Sequence, residues 1–164
     1  MSETLADKES VLREKADHPA ITAILGWNAD ALTEARWDRD ELTLTIAPEH
    51  IIAAAQTVQQ AGYNFLEDIT AVDWFPASPR FQVSYHIVSH THKERIRLRV
   101  MLDEIDPSVD SITPVWPSAD YYEREVFDLF GIRFNGHPNL RRIMMPDDWT
   151  GHPLRKDYPV EGYR

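Results

Sequence analysis

The stretch Glu94–Leu102, ERIRLRVML, decides the fold class. Ile96, Leu98 and Val100 alternate with Arg95, Arg97 and Arg99. Successive strand side chains point to opposite faces, so this period of two predicts a strand with one apolar and one charged face. Moving outward, Glu41–Ile46 (ELTLTI) repeats the pattern, with Leu42, Leu44 and Ile46 on one side. Residues 65–74 and 80–89 also read as strands, separated by turns at FPASP (75–79) and HTHK (90–93). Residues 31–37 alternate more loosely and predict a further strand, closed by a turn at Arg39-Asp40. Between the two groups, PEHIIAAAQTVQQAG places Ile51, Ile52, Ala55 and Val58 on one helical stripe. Pro48 suits its first turn and Gly62 its end. AITAILGW, after His18-Pro19, predicts a helix ending near Gly26, and residues 2–16 read as a polar, frayed helix. The order is helix, two strands, helix, three strands. It implies an α+β fold, a two-layer mixed sheet with helices on one face, followed by a C-terminal helix and a long extended tail.

That last part is the least regular. Residues 103–117 read as a linker, with Pro107, Pro114 and Pro117. Ser118 is expected to cap a helix in which Tyr122, Val126, Leu129 and Phe130 share a stripe and Gly131 ends the run. Arg124 and Asp128, four apart, are expected to pair on its polar side. The stretch 121–159 then runs on, rich in Pro, Gly, Arg and aromatics, without hydrophobic periodicity. Segments this long without regular structure are usually functional or disordered, and disordered ones are poor in aromatics. Trp116, Tyr121, Tyr122, Phe127, Phe130, Phe134, Trp149, Tyr158 and Tyr163 argue for an ordered tail that needs a surface to lie on. The chain divides accordingly into residues 1–20, an α+β body at 21–117, and a helix with a partner-binding extension at 118–164.

Composition narrows the function. A chain of 164 residues has enough length for one core. No cysteine is present, so this chain alone supplies no disulfide, thiol nucleophile or cysteine-held cluster. The net charge of −10 argues against nucleic acid as a partner. Residues 1–120 hold 20 acidic and 10 basic side chains, while residues 121–164 hold 7 of each. The opening MSETLADKESVLREK has no apolar signal core. The most apolar run, 51–55, is far shorter than the roughly 20 residues of a membrane span. Membrane contact is expected only through a partner.

Four constellations could carry chemistry. Glu123, Glu125, Asp128, Asp147 and Asp148 could supply an acid and a base, but a solvated or ion-paired helix face explains them as well. His86, His90 and His92, and in the tail His137, Asp147, Asp148 and His152, are the densest groups of metal-ligand types. Neither has a familiar zinc spacing, and both read as turns. No GxGxxG, GxxxxGK[ST] or G-x-S-x-G motif occurs. No catalytic, cofactor-binding or metal-binding residue is therefore assigned. Fourth, Arg141, Arg142, Trp149, Arg155, Lys156 and Tyr158 are largely of the arginine and aromatic types that dominate protein interfaces. A tail wrapped over its own sheet accounts for them too, and both readings stand.

Residues 123–143, ERE-x2-DLFGI-x-F-x-GHP-x-LRRI, and 146–159, PDDW-x-GHPLRKDYP, resemble a known family signature. It is that of the C subunits of proton-pumping NADH:quinone oxidoreductase, respiratory complex I. Related subunits occur in membrane-bound hydrogenases and plastoquinone-reducing complexes. The resemblance implies a non-catalytic subunit of the hydrophilic arm, on the cytoplasmic face of the cell membrane. FMN and iron–sulfur clusters would belong to other subunits, none to this chain. It also implies that the extension lies along the large, hydrogenase-like quinone-site subunit, near the iron–sulfur subunits. Partner contacts are then expected from Glu123, Arg124, Glu125, Asp128, Phe130, Phe134, Arg141, Arg142, Trp149, Arg155, Lys156 and Tyr158.

Overall fold

The computed structural model describes the backbone of residues 2–163 and the side chains of residues 8–163. Helix α1 spans Ser2–Glu14 and α2 spans Pro19–Asn28. Strands β1 (Leu32–Asp38) and β2 (Glu41–Ile46) follow, then a 3-10 turn at Pro48–His50 leading into α3 (Ile51–Gln60). Next come β3 (Phe65–Asp73), β4 (Phe81–Ser89) and β5 (Glu94–Leu102), then β6 (Ser108–Asp110), α4 (Ala119–Phe130) and β7 (Arg133–Asn135). The expected α+β order is what the chain adopts.

The main sheet runs β1-β2-β5-β4-β3. β2 and β5 are parallel, and the other neighbours are antiparallel. Register explains why the alternation works. Ala35, Leu44, Leu98, Tyr85 and Ile69 form one row across all five strands, and each is buried. On the opposite face the neighbouring row reads Arg36, Thr43, Arg97, His86 and Asp68. The apolar face lies under the helices, which add Ile21 and Ile24 from α2 and Ile51, Ala55 and Val58 from α3. On the charged face, Arg97 bonds Glu41, Thr43 and His86, and Arg99 bonds Glu34 and Thr45. Arg39 and Asp40 both take positive φ, 50° and 62°, as a tight hairpin turn demands.

Several expectations need correction. α2 does not stop at Gly26 but runs to Asn28. Gly62, with φ of +102°, does lie just past the end of α3. Ser118 has helical φ and ψ of −62° and −19° and makes no capping bond. Residues 103–117 are more than a linker: β6 pairs in parallel with β7, and Val109, Ile112 and Trp116 are buried. A three-residue strand is too short to show a period. The helix expected over residues 2–16 is present as α1, and its Val11 joins the core.

Candidate functional site

The site is built where α4 ends. The last four carbonyls of any helix lack intrahelical partners and must find others. Here they are those of Phe127, Asp128, Leu129 and Phe130, and all four are taken. Gly131, left-handed at φ +73°, returns its amide to Phe127 at 2.8 Å. The Asp128 carbonyl accepts from His152 Nδ1 at 2.9 Å and from Arg142 at 3.1 Å. The Leu129 carbonyl accepts the Leu154 amide at 3.0 Å, and Phe130 accepts Arg155 Nε. The tail therefore completes the helix. It also brings two guanidinium groups to the negative end of the helix dipole.

The Asp128 side chain makes a second anchor. It is fully buried. One oxygen accepts the consecutive amides of Ile143, Met144 and Met145 at 2.9, 2.7 and 2.8 Å. The other accepts Arg142 at 2.6 Å. Burial pushes this carboxyl up, but the Met145 amide, Arg142 and the other two amides outweigh it and hold it below the usual range. Arg142 goes on to the carbonyls of Trp149 and Gly151 at 3.0 and 2.9 Å. Arg124 donates to the carbonyls of Arg141 and Arg142 at 3.2 Å. The expected Arg124–Asp128 surface pair is thus corrected. Both side chains are buried, and each holds the tail in place of the other.

The third anchor ties the tail to the sheet. Arg80, at 2% exposure, uses all five of its donors. Asp73 takes two in a fork, at 2.9 and 2.8 Å. Asp157 takes two more, at 2.8 and 3.1 Å, and Glu104 takes the fifth direction at 2.7 Å. The guanidinium also lies over the Phe75 and Phe81 rings, 4.8 Å from each centroid. Asp73 also accepts the Lys156 amide at 2.8 Å. Burial would raise the Asp73 carboxyl, yet Arg80 and the Lys156 and Phe75 amides lower it to about 2.

A third buried acid, Glu123, accepts the Ser111 hydroxyl at 2.6 Å and the Ile112 amide at 2.7 Å. It fastens the β6 loop to α4. Burial pushes its carboxyl up to about 7, against those two bonds and with help from Asp120.

The residues expected to face a partner therefore divide. Glu123, Arg124, Asp128, Phe130 and Phe134 are buried within this chain. The alternative of a solvated face for Glu123 and Asp128 is corrected on the same ground. Arg142 and Arg155 point inward onto α4. Glu125, Arg141 and Lys156 are exposed, Trp149 is exposed at 39%, and Tyr158 is half-buried. The histidines are dispersed: His86 bonds Arg97, His92 bonds the Ala61 carbonyl, and His90 lies edge-on to Phe65. Sequence reasoning did not single out Asp73, Arg80, Glu104 or Asp157. They are separated by up to 83 positions from their partners, and no local pattern joins them.

Beside the exposed charges of Arg141, Asp147, Asp148 and Lys156, the tail turns large apolar side chains outward. Ile143, Met144, Trp149, Leu154, Val160 and Tyr163 are all exposed. Six large apolar side chains within 21 residues are thus left facing solvent, on a segment whose charged anchors point in.

The family model described as the respiratory-chain NADH dehydrogenase 30 kDa subunit matches residues 44–164. A protein of Citrifermentans bemidjiense, named as the C subunit of NADH-quinone oxidoreductase, is 50% identical over 135 residues, covering 82% of this chain and 84% of that one. The protein of the same name from Geobacter sulfurreducens is 45% identical over 136 residues, with 82% and 84% covered. A solved structure described as the trypsin-resistant fragment (1-134) of Nqo5 is 32% identical, with a TM-score of 0.65, and covers 74% of this chain and 99% of that one. An archaeal membrane-bound sulfane sulfur reductase chain is 22% identical, with a TM-score of 0.75 over 89% and 86%, and shares the fold. The family match and these relatives agree with one another and with the signature at 123–159: this chain belongs to the 30 kDa subunit family of respiratory-chain NADH dehydrogenase.

Proposed function

We propose that this chain is the C subunit of a proton-pumping NADH:quinone oxidoreductase and acts there as a non-catalytic scaffold. FMN and the iron–sulfur clusters are assigned to other subunits. The tail is assigned to the large quinone-site subunit of the complex, and to neighbouring iron–sulfur subunits. The chain sits on the cytoplasmic face of the membrane and reaches it through the complex. Among the described residues, no helix is long and apolar enough to cross a membrane.

One observation carries this reading: the tail's charged anchors are spent on its own body while its apolar side chains face out. Rigid anchoring of a contact surface lowers the ordering cost that binding must offset. Buried charges at Asp128 and Arg80 fix the tail's path, and Met144, Trp149 and Leu154 are left to touch a partner. Identity of 45–50% to proteins named as the C subunit of NADH-quinone oxidoreductase favours this complex over a related hydrogenase-type one.

The test is a double variant, Met144→Asp with Trp149→Asp. The isolated chain should keep its Tm, because neither side chain is in the core. Co-purification with the large quinone-site subunit should be lost. Normal assembly of the double variant would remove the tail from the interface and overturn the reading.

A further inference from the structure

The five-stranded sheet has two edges, and the chain treats them differently. Helices pack against both edge strands, α1 on β1 and α4 on β3, and at β1 Lys8 also bonds the Leu32 carbonyl. Glu34, Arg36 and Asp38 add charge to that edge. Among the described residues, β3 pairs only with β4. Its first half carries Glu67 and Asp68, with a register shift between Leu66 and Asp68. Charges and bulges of this kind keep an edge from pairing with other chains. The next four residues, Ile69-Thr70-Ala71-Val72, have no charge, no proline and no irregularity, and the strand closes on Asp73, whose carboxylate is buried against Arg80. Among the described residues, no backbone hydrogen bond other than the β4 ladder reaches residues 65–72.

A groove of about 270 Å³ lies between this half of β3 and α4. Residues 68–71 form one wall. Four consecutive strand residues share a wall only when it is the backbone edge itself, because successive side chains point to opposite faces. Val126, Leu129 and Phe130 of α4, with Leu154 of the tail, line the other side. Leu154 belongs also to the outward apolar face of the tail, so groove and tail surface are continuous. Asp68 and Glu125 stand on the rim, and Glu67 is nearby on the same strand.

We propose that this groove takes an extended segment of another subunit of the complex, which adds to β3 as a sixth strand. Main-chain bonds to residues 69–72 give the affinity, and one apolar side chain enters between β3 and α4. The acidic rim selects a segment with Lys or Arg beside that apolar residue. A second copy of this chain is disfavoured by its own charge of −10. The inference rests on the reading of this chain as a subunit of an assembled oxidoreductase.

The experiment compares amide exchange at residues 69–72 in the free full-length chain and in the purified complex. In the same complex, Thr70 is replaced by benzoylphenylalanine and photo-crosslinked. Edge pairing predicts at least tenfold slower exchange of the outward amides in the complex, and a crosslink to a Lys- or Arg-bearing extended segment of another subunit. Equal exchange in both states, or a crosslink to a second copy or to this chain's own residues 143–163, overturns it. The Met144/Trp149 variant separates the two ideas. If it abolishes assembly while the edge amides of the wild-type complex stay unprotected, only the edge inference fails. If it assembles normally with the edge protected, only the tail reading fails.

Discussion

Arg80, just before β4, and Asp157, 77 residues further on, form a two-pronged ion pair at 2.8 and 3.1 Å. The pair joins the sheet to the tail, and its two sides are buried to different degrees. Asp157 is 44% exposed, whereas Arg80 and Asp73 beneath it are closed off. Substitutions should therefore separate stability from tail docking. Arg80→Leu leaves Asp73 as a buried, uncompensated charge, and should cost about 3–5 kcal/mol in urea unfolding. Asp157→Ala removes a solvent-screened partner and should cost under about 1 kcal/mol. Yet it should release the tail, so trypsin should cut after Arg155 and Lys156 several-fold faster than in wild type. Equal cleavage rates would show that Asp157 does not hold the tail.

The Asp73 carboxyl, lowered to about 2, gives a pH signature with a fixed sign. The folded state favours the charged form, so the contribution is present above the ordinary value of 3.8 and disappears as pH falls toward 2. It is worth about 2 kcal/mol. Asp157, held down first by Arg80, and Asp128, held down by its amides and Arg142 against burial, act in the same direction. Unfolding free energy measured in urea should fall steeply between about pH 4 and pH 2. Asp73→Asn should flatten part of that slope while lowering stability at neutral pH. A wild-type curve flat across this window would refute the arrangement.

How far sequence reasoning reached follows from the range of each interaction. Leu42, Leu44, Ile46, Ile96, Leu98 and Val100 announce their face because burial repeats every second residue, and all six are buried. Gly62 and Gly131 announce helix ends because left-handed backbone is costly for other residues. Gly26 fails as a stop signal because the same residue also tolerates helix. Asp128 and Arg124 look like a surface pair from spacing alone. Only the position of residues 141–145 against α4 shows that each has a tail partner. Arg80, Asp73 and Asp157 come together through the sheet and the return of the tail, and nothing near any of them signals it. The same limit explains why the outward residues Ile143, Met144 and Leu154 escaped notice: an apolar side chain reads as core until its polar neighbours are seen to take the inside.

Gly131 offers a test of how tightly the tail closes on α4. Its φ of +73° is strained for an L side chain. A Cβ there would lie 2.6 Å from the His152 ring and 2.7 Å from an Arg155 nitrogen. Gly131→Ala should cost about 1–2 kcal/mol for the backbone alone. It should also displace His152 and Arg155 from the carbonyls they cap, seen as faster amide exchange at Leu154. If exchange at Leu154 stayed at the wild-type rate, the tail would not be seated on the helix end in this way.

Glu123 predicts the opposite pH dependence to Asp73, in a separate window. Burial, with Asp120 adding to it, lifts its carboxyl to about 7 despite the Ser111 and Ile112 donors. Between the ordinary 4.5 and about 7 the folded chain binds more protons than the unfolded one, so stability falls as pH rises through that range. The loss is about 3 kcal/mol at most. The Tyr85 hydroxyl, buried with no partner among the described residues, is itself pushed up by burial and then by the Glu123 charge. Neutral Glu123 relieves both groups. Glu123→Gln mimics that neutral form: its amide oxygen accepts the Ile112 amide, and its NH2 donates to a rotated Ser111 hydroxyl. The variant should match wild type near the lower end of the window, about pH 5, and exceed it above the upper end, at about pH 8, with a shallower slope between. A loss of stability at both pH values would mean that the charged carboxylate, and not its shape, holds the β6 loop to α4.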